Sequence, residues 1–202
     1  MSNTKYLTHN ACLRCISIDP GCCSRCNPFV LFADLASLLK KYSPKQIIRI
    51  IEVSEISPMY AEHLSDPEMR QVYYPWDETH YSIQTKFVND FCIALKQGKG
   101  CILKERRPFV CKVFPFWWKE GVTPSTYSFP LEIAGQCTMI NLWNFTIDIV
   151  FEELDTSEEQ IRNELISMNN ALIEHHRIME EAKKESVPPA RLLDWLIRRI
   201  RC

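Results

Sequence analysis

Gly100-Cys101-Ile102-Leu103-Lys104-Glu105-Arg106-Arg107-Pro108-Phe109-Val110-Cys111-Lys112-Val113-Phe114-Pro115-Phe116 is the stretch that decides the fold. Glycine and proline cut it into pieces too short for long elements, and β-forming residues fill those pieces at Cys101 to Leu103 and Phe109 to Phe114. Tyr127 to Ile133 supplies a third such piece, with Gly98, Gly121 and Pro130 as further breaks. Small strands between loops bury little by themselves. A fold of this kind is what thiols gathered on a metal can staple together, and Cys101 and Cys111 lie within the stretch.

Outward from it, the thiols fall into two clusters. Cys92 and Cys137 flank Cys101 and Cys111, spaced so widely that only the fold can bring them together. Near the N-terminus, Cys12-Leu-Arg-Cys15 is followed after six residues by Cys22-Cys23-Ser-Arg-Cys26. The pairs Cys12/Cys15 and Cys23/Cys26 have the CxxC spacing that aims two sulfurs at one ion, and two such turns complete a tetrahedral set. Adjacent Cys22 and Cys23 diverge, so one of them is spare or the two serve different metals. Cys202, the tenth cysteine, is terminal and incidental.

The redox setting turns on targeting. Met1 to Ala11 is polar with no apolar h-region, and no run approaches the roughly 18 apolar residues of a membrane span; Val113 to Trp118 is among the longest. The chain is therefore expected in the cytoplasm, where thiols stay reduced and clustered cysteines point to metal ligation rather than disulfides. The competing reading, reduced thiols as small core hydrophobes, does not account for the clustering. The 202 residues carry 24 basic and 25 acidic side chains, and 46% are hydrophobic, which excludes a disordered chain and gives no global field for nucleic acid. Lys86 to Lys119, by contrast, holds eight bases and two acids, a balance of +6 that favours thiolates nearby.

Cys12-x2-Cys15, the Cys22-Cys23 pair, the Phe29 to Leu39 segment with Asp34, and above all the Gly100 to Phe116 stretch resemble the YkgJ-type cysteine-cluster family of zinc- or iron-chelating domains. The likeness covers roughly residues 12 to 140. It implies a ligand set of Cys12, Cys15, Cys22, Cys23, Cys92, Cys101, Cys111 and Cys137. The chain departs from the family pattern in two ways: six residues rather than about two separate its CxxC from its Cys pair, and Cys26 is an added thiol. The cysteine pattern is also similar to that of flagellin lysine N-methylases.

All-sulfur coordination suits zinc and iron-sulfur centres alike. An iron-sulfur cluster is preferred for three reasons: thiols beyond a single four-thiolate site, no paired CxxHis pattern, and aromatics Phe109, Phe114, Phe116, Trp117 and Trp118 to shield it. The expected function is a cytosolic metal-binding protein serving redox, electron-transfer or maturation chemistry on a protein partner. The alternatives are a lysine N-methylase-like enzyme and a zinc-stapled interaction module. Against the enzyme, the five glycines form no GxGxxG loop, and no CxxxCxxC signature occurs. Arg107-Pro108 fixes the turn before Cys111 with the arginine donating to a ligand sulfur or a carbonyl, or else Arg107 is a plain surface residue. His9 precedes Cys12 closely enough to complete a site, although a disordered terminus is the plainer reading; His63, His80 and His176 have no partner legible in the sequence.

The remainder reads as helix. Leucines 35, 38 and 39 give helical spacing in Asp34 to Tyr42, Ser43-Pro44 restarts a helix running to about Glu55, and Ser57 to Tyr81 is expected to be irregular. After a Thr156-Ser157 N-cap, Ile161, Leu165, Met168, Leu172, His175, Met179 and Ala182 mark one helix of roughly seven turns, with His175 as a hydrogen-bonded core residue. Pro188-Pro189 closes it, and Ala190 to Arg201 is a short final helix. Asp148 to Glu185 is net -7 and Ser186 to Cys202 net +3, charges that suit solvated faces. The expected fold is mostly α with small irregular β elements, a loop-rich metal-stapled domain over 1–150 plus a long C-terminal amphipathic helix. The extension 151–202 packs on that domain or a partner, with a homodimer through the 157–184 helix as one way to bury its stripe.

Overall fold

The computed structural model describes residues 21–25, 28–67, 69–96, 99–119, 121–125, 127–134, 137–141 and 144–201. Helices dominate, with small antiparallel sheets and a long helix near the C-terminus. The chain divides by packing into two compact units, each built from two segments. One comprises the described residues 21–25 with Phe87–Ser167; the other comprises Pro28–Lys86 with Met168–Cys202. The end of the chain packs with elements from near its start.

In chain order, α1 is the four-residue helix Cys22–Arg25, α2 is Phe32–Leu39 and α3 is Pro44–Ile50. Asp34 closes the start of α2, its buried Oδ2 accepting a 2.9 Å hydrogen bond from the Leu31 N–H. Pro44 sits in the first turn of α3, where its missing N–H costs nothing, and Gln46 Oε1 accepts from the Ser43 N–H at 2.9 Å. The expected continuation of this helix to Glu55 is corrected: Ile51–Glu55 is strand β1. Its β-branched Ile51 and Val53 suit a pleated surface, and β1 pairs along its whole length with a strand some thirty residues on.

The Ser57 to Tyr81 region is also more regular than expected. Two 3-10 helices, Pro58–Leu64 and Met69–Val72, lead into β2 (Tyr74–Trp76), and β3 (Thr79–Thr85) forms the centre of a sheet ordered β1-β3-β2. Pro75 is tolerated because β2 is an edge strand. Among its described residues the other unit holds small pairings, beginning with β4 (Phe87–Val88) to β5 (Phe91–Cys92) and β6 (Leu95–Lys96) to β7 (Gly100–Cys101). A 3-10 turn, Lys104–Arg106, then precedes α4, Phe109–Val113. The β-like reading of Phe109 to Phe114 is thereby overturned. Pro108 begins a helical turn, its carbonyl accepting from the N–H groups of Cys111 (2.9 Å) and Lys112 (3.2 Å). β8 (Phe116–Trp118) pairs antiparallel with β9, so strand within Tyr127 to Ile133 is confined to Leu131–Ile133.

Short helices α5 (Thr138–Asn141) and α6 (Ile147–Glu153) lead to α7, Glu158–Lys184, and α8, Pro189–Arg201. Ser157 caps α7 as expected, its Oγ accepting from the Gln160 N–H at 3.2 Å. The stripe Ile161, Leu165, Met168, Leu172, His175, Met179 and Ala182 is buried throughout within the single chain. α8 packs on β1 and α2. Among the described residues no helix is long and apolar enough to cross a membrane.

Candidate metal centre

Thiols from both sequence clusters belong to the unit formed around Phe87–Ser167. Cys22 and Cys23 open α1, which packs against β5, where Cys92 is buried. Cys101 ends β7 and Cys111 lies in α4. Pairwise interactions link these five in a chain. The Cys111 thiol feels Cys22, Cys101 and Cys92; Cys101 feels Cys92; and the Cys22 side chain is hydrogen-bonded to Cys23. Cys137 is buried at the start of α5, its N–H donating to the Ala134 carbonyl at 3.0 Å. All six are thiols rather than disulfides. Cys12, Cys15, Cys26 and His9 fall outside the described residues. Among the described residues no three Cys, His, Asp or Glu side chains stand together as ligands for one ion.

Arg107 is the charge common to the group. Its guanidinium acts on Cys22, Cys101 and Cys111, in each case pulling the thiol pKa down. Opposing forces are larger. The hydrogen bond to Cys23 and then desolvation push Cys22 well above an ordinary thiol, and burial foremost does the same to Cys111. Burial raises Cys101 too, but the backbone N–H groups of Leu103 and Lys104 donate toward its sulfur and favour the thiolate. Lys104 takes a left-handed backbone, φ 51°, in this turn. Donors of this kind escape sequence reading because any residue type supplies an N–H.

Without metal, therefore, Cys22, Cys101 and Cys111 hold their protons at neutral pH, and a soft cation must displace them. Convergent thiols, one cation and sulfur-directed N–H donors suit a thiolate-ligated centre in chemistry. The aromatic run contributes mass rather than a pocket: Phe116 and Trp118 are buried, and Phe116 stacks on Phe151 with ring centroids 4.5 Å apart.

Two of the histidines have defined partners. His175 is wholly buried and neutral, its Nδ1 accepting from the Phe32 N–H at 3.0 Å and its Nε2 lying 3.2 Å from the Val72 carbonyl as donor. That is the core role expected of it. His63, for which the sequence offered no partner, lies 2.9 Å from the Tyr73 hydroxyl through Nδ1.

Comparison with protein-family models, with curated proteins and with solved structures gives no match.

Proposed function

We propose that the chain is a cytoplasmic metal-binding protein whose clustered cysteines hold one or two metal centres, iron-sulfur in preference to zinc. The centre would serve electron transfer, redox sensing or maturation of a protein partner. One observation supports the reading: Cys22, distant in sequence from Cys111, acts on it electrostatically, Arg107 acts on both, and Cys111 also feels Cys92 and Cys101. Structural thiols filling a core have no reason to draw together Cys22 and Cys111, at opposite ends of a 90-residue span, beside Arg107. The resemblance to the YkgJ-type family supports the same ligands and adds Cys12, Cys15 and Cys137.

The test is anaerobic purification from iron-supplemented cells, with the visible spectrum and metal analysis taken on one sample. Charge-transfer absorption with stoichiometric iron and acid-labile sulfide is expected. Colourless protein with bound zinc would replace the redox role with a zinc-stapled interaction module, and protein free of both metals would remove the metal centre altogether.

A further inference from the structure

Lys104 takes a left-handed backbone, φ 51°, although it carries a Cβ and its side chain is exposed. That conformation is unfavourable for an L-residue, so a gain elsewhere in the loop must hold it. Leu103 before it is right-handed, with φ -75° and ψ -22°. A right-handed residue followed by a left-handed one turns successive N–H groups toward one point and makes a concavity for an anion. Here the N–H groups of Leu103 and Lys104 both donate to the Cys101 sulfur. A neutral thiol is a weak acceptor, whereas a thiolate rewards two convergent donors. The turn is also firmly anchored. The Ile102 N–H donates to the Ala94 carbonyl at 2.8 Å, and the Leu103 side chain is buried. The Leu103 and Lys104 carbonyls accept from the N–H groups of Arg106 at 2.9 Å and Arg107 at 3.1 Å.

We propose that the Leu103–Lys104 turn is a positioning device for the metal centre, its two N–H groups holding the Cys101 sulfur as a bound thiolate. The proposal rests on the metal-centre reading and deepens it by giving one ligand its orienting partners. Donation from two N–H groups withdraws charge from the sulfur and fixes its direction, so the turn retards loss of the ion. Because the donors are backbone groups, the residue at 104 acts through the conformation it permits, and its ammonium group is dispensable.

The probe is Cd2+, a thiophilic ion, loaded as a spin-active isotope into the nitrogen-labelled full chain. Scalar coupling between cadmium and an amide proton arises where the N–H donates to a metal-bound sulfur. Such couplings are expected at the Leu103 and Lys104 amides. Lys104→Gly and Lys104→Pro then separate backbone from side chain, since both remove the same charge. Glycine accepts the left-handed conformation and keeps the N–H. Proline fixes φ at about -65°, deletes the N–H and disfavours a right-handed residue before it. A chelator should extract cadmium from Lys104→Gly within about twofold of the native rate, and from Lys104→Pro about tenfold faster. Cadmium bound with either coupling missing overturns the proposal while the metal-centre reading stands, and equal extraction rates for the two variants do the same. If Lys104→Pro does not fold, the couplings in native and Lys104→Gly protein decide. A native chain that takes up no cadmium loses the metal-centre reading and the role of this turn together.

Discussion

His175 shows what one buried group contributes and how to measure it. Burial holds its pKa down at about 4, below the ordinary imidazole value of 6.5. The unfolded chain thus takes up a proton at a pH where the folded chain refuses it. Stability from the neutral ring is complete above pH 6.5 and drains away as pH falls toward 4, by about 3 kcal/mol in all. His175→Gln keeps a donor and an acceptor without the titration. Urea midpoints of the two proteins should converge in acid, and parallel curves from pH 7 to 4 would deny the histidine this role. At the candidate site, Cys101→Ala and Cys111→Ala should each lose metal and soluble yield together; full metal content in either removes that residue from the ligand set. Sequence supplied these thiols through their clustering, and it named Arg107 beside them. It was silent on the Leu103 and Lys104 N–H groups, because backbone donors leave no mark in residue type.

Among elements, α7 was the most legible, since its seven buried positions repeat at the helical period and Ser157 marks its start. The same periodicity makes a sharp stability prediction. Leu172→Ala removes a fully buried side chain and should cost about 3 kcal/mol, whereas the neighbouring Ile173, 55% exposed, should tolerate alanine nearly without cost. Chemical denaturation of both variants checks the contrast, and equal losses would mean that the stripe is misassigned. The strands were harder to read for a physical reason. Ile51–Glu55 follows α3 without a break, and only its pairing with Thr79–Thr85 makes it a strand. Phe109–Val113 has β-forming residues, yet Pro108 and the turn it starts impose helix. The α7 stripe is covered within one chain.

At the scale of the molecule, each of the two compact units joins segments distant along the chain. The unit holding β1–β3 has an ordinary core: Leu31, Leu35, Ile47, Ile51, Ile83, Leu192 and Leu196 are buried, and the Tyr74 hydroxyl donates to the Val187 carbonyl at 2.6 Å. Ahead of α7, the described residues of the cysteine-bearing unit form strand pairs of two or three residues and helices of four to seven, elements too short to persist without tertiary support. If metal supplies that support, removing it should loosen one unit far more than the other. Hydrogen exchange on anaerobic protein before and after a strong chelator measures this directly. Amides of residues 87–113 should lose protection by at least about tenfold, the scale of 1.4 kcal/mol in local opening, while β1, β3 and α8 keep theirs. Protection unchanged everywhere would show that the thiols do not staple the fold, and loss shared equally by both units would show that the chain opens as one cooperative body.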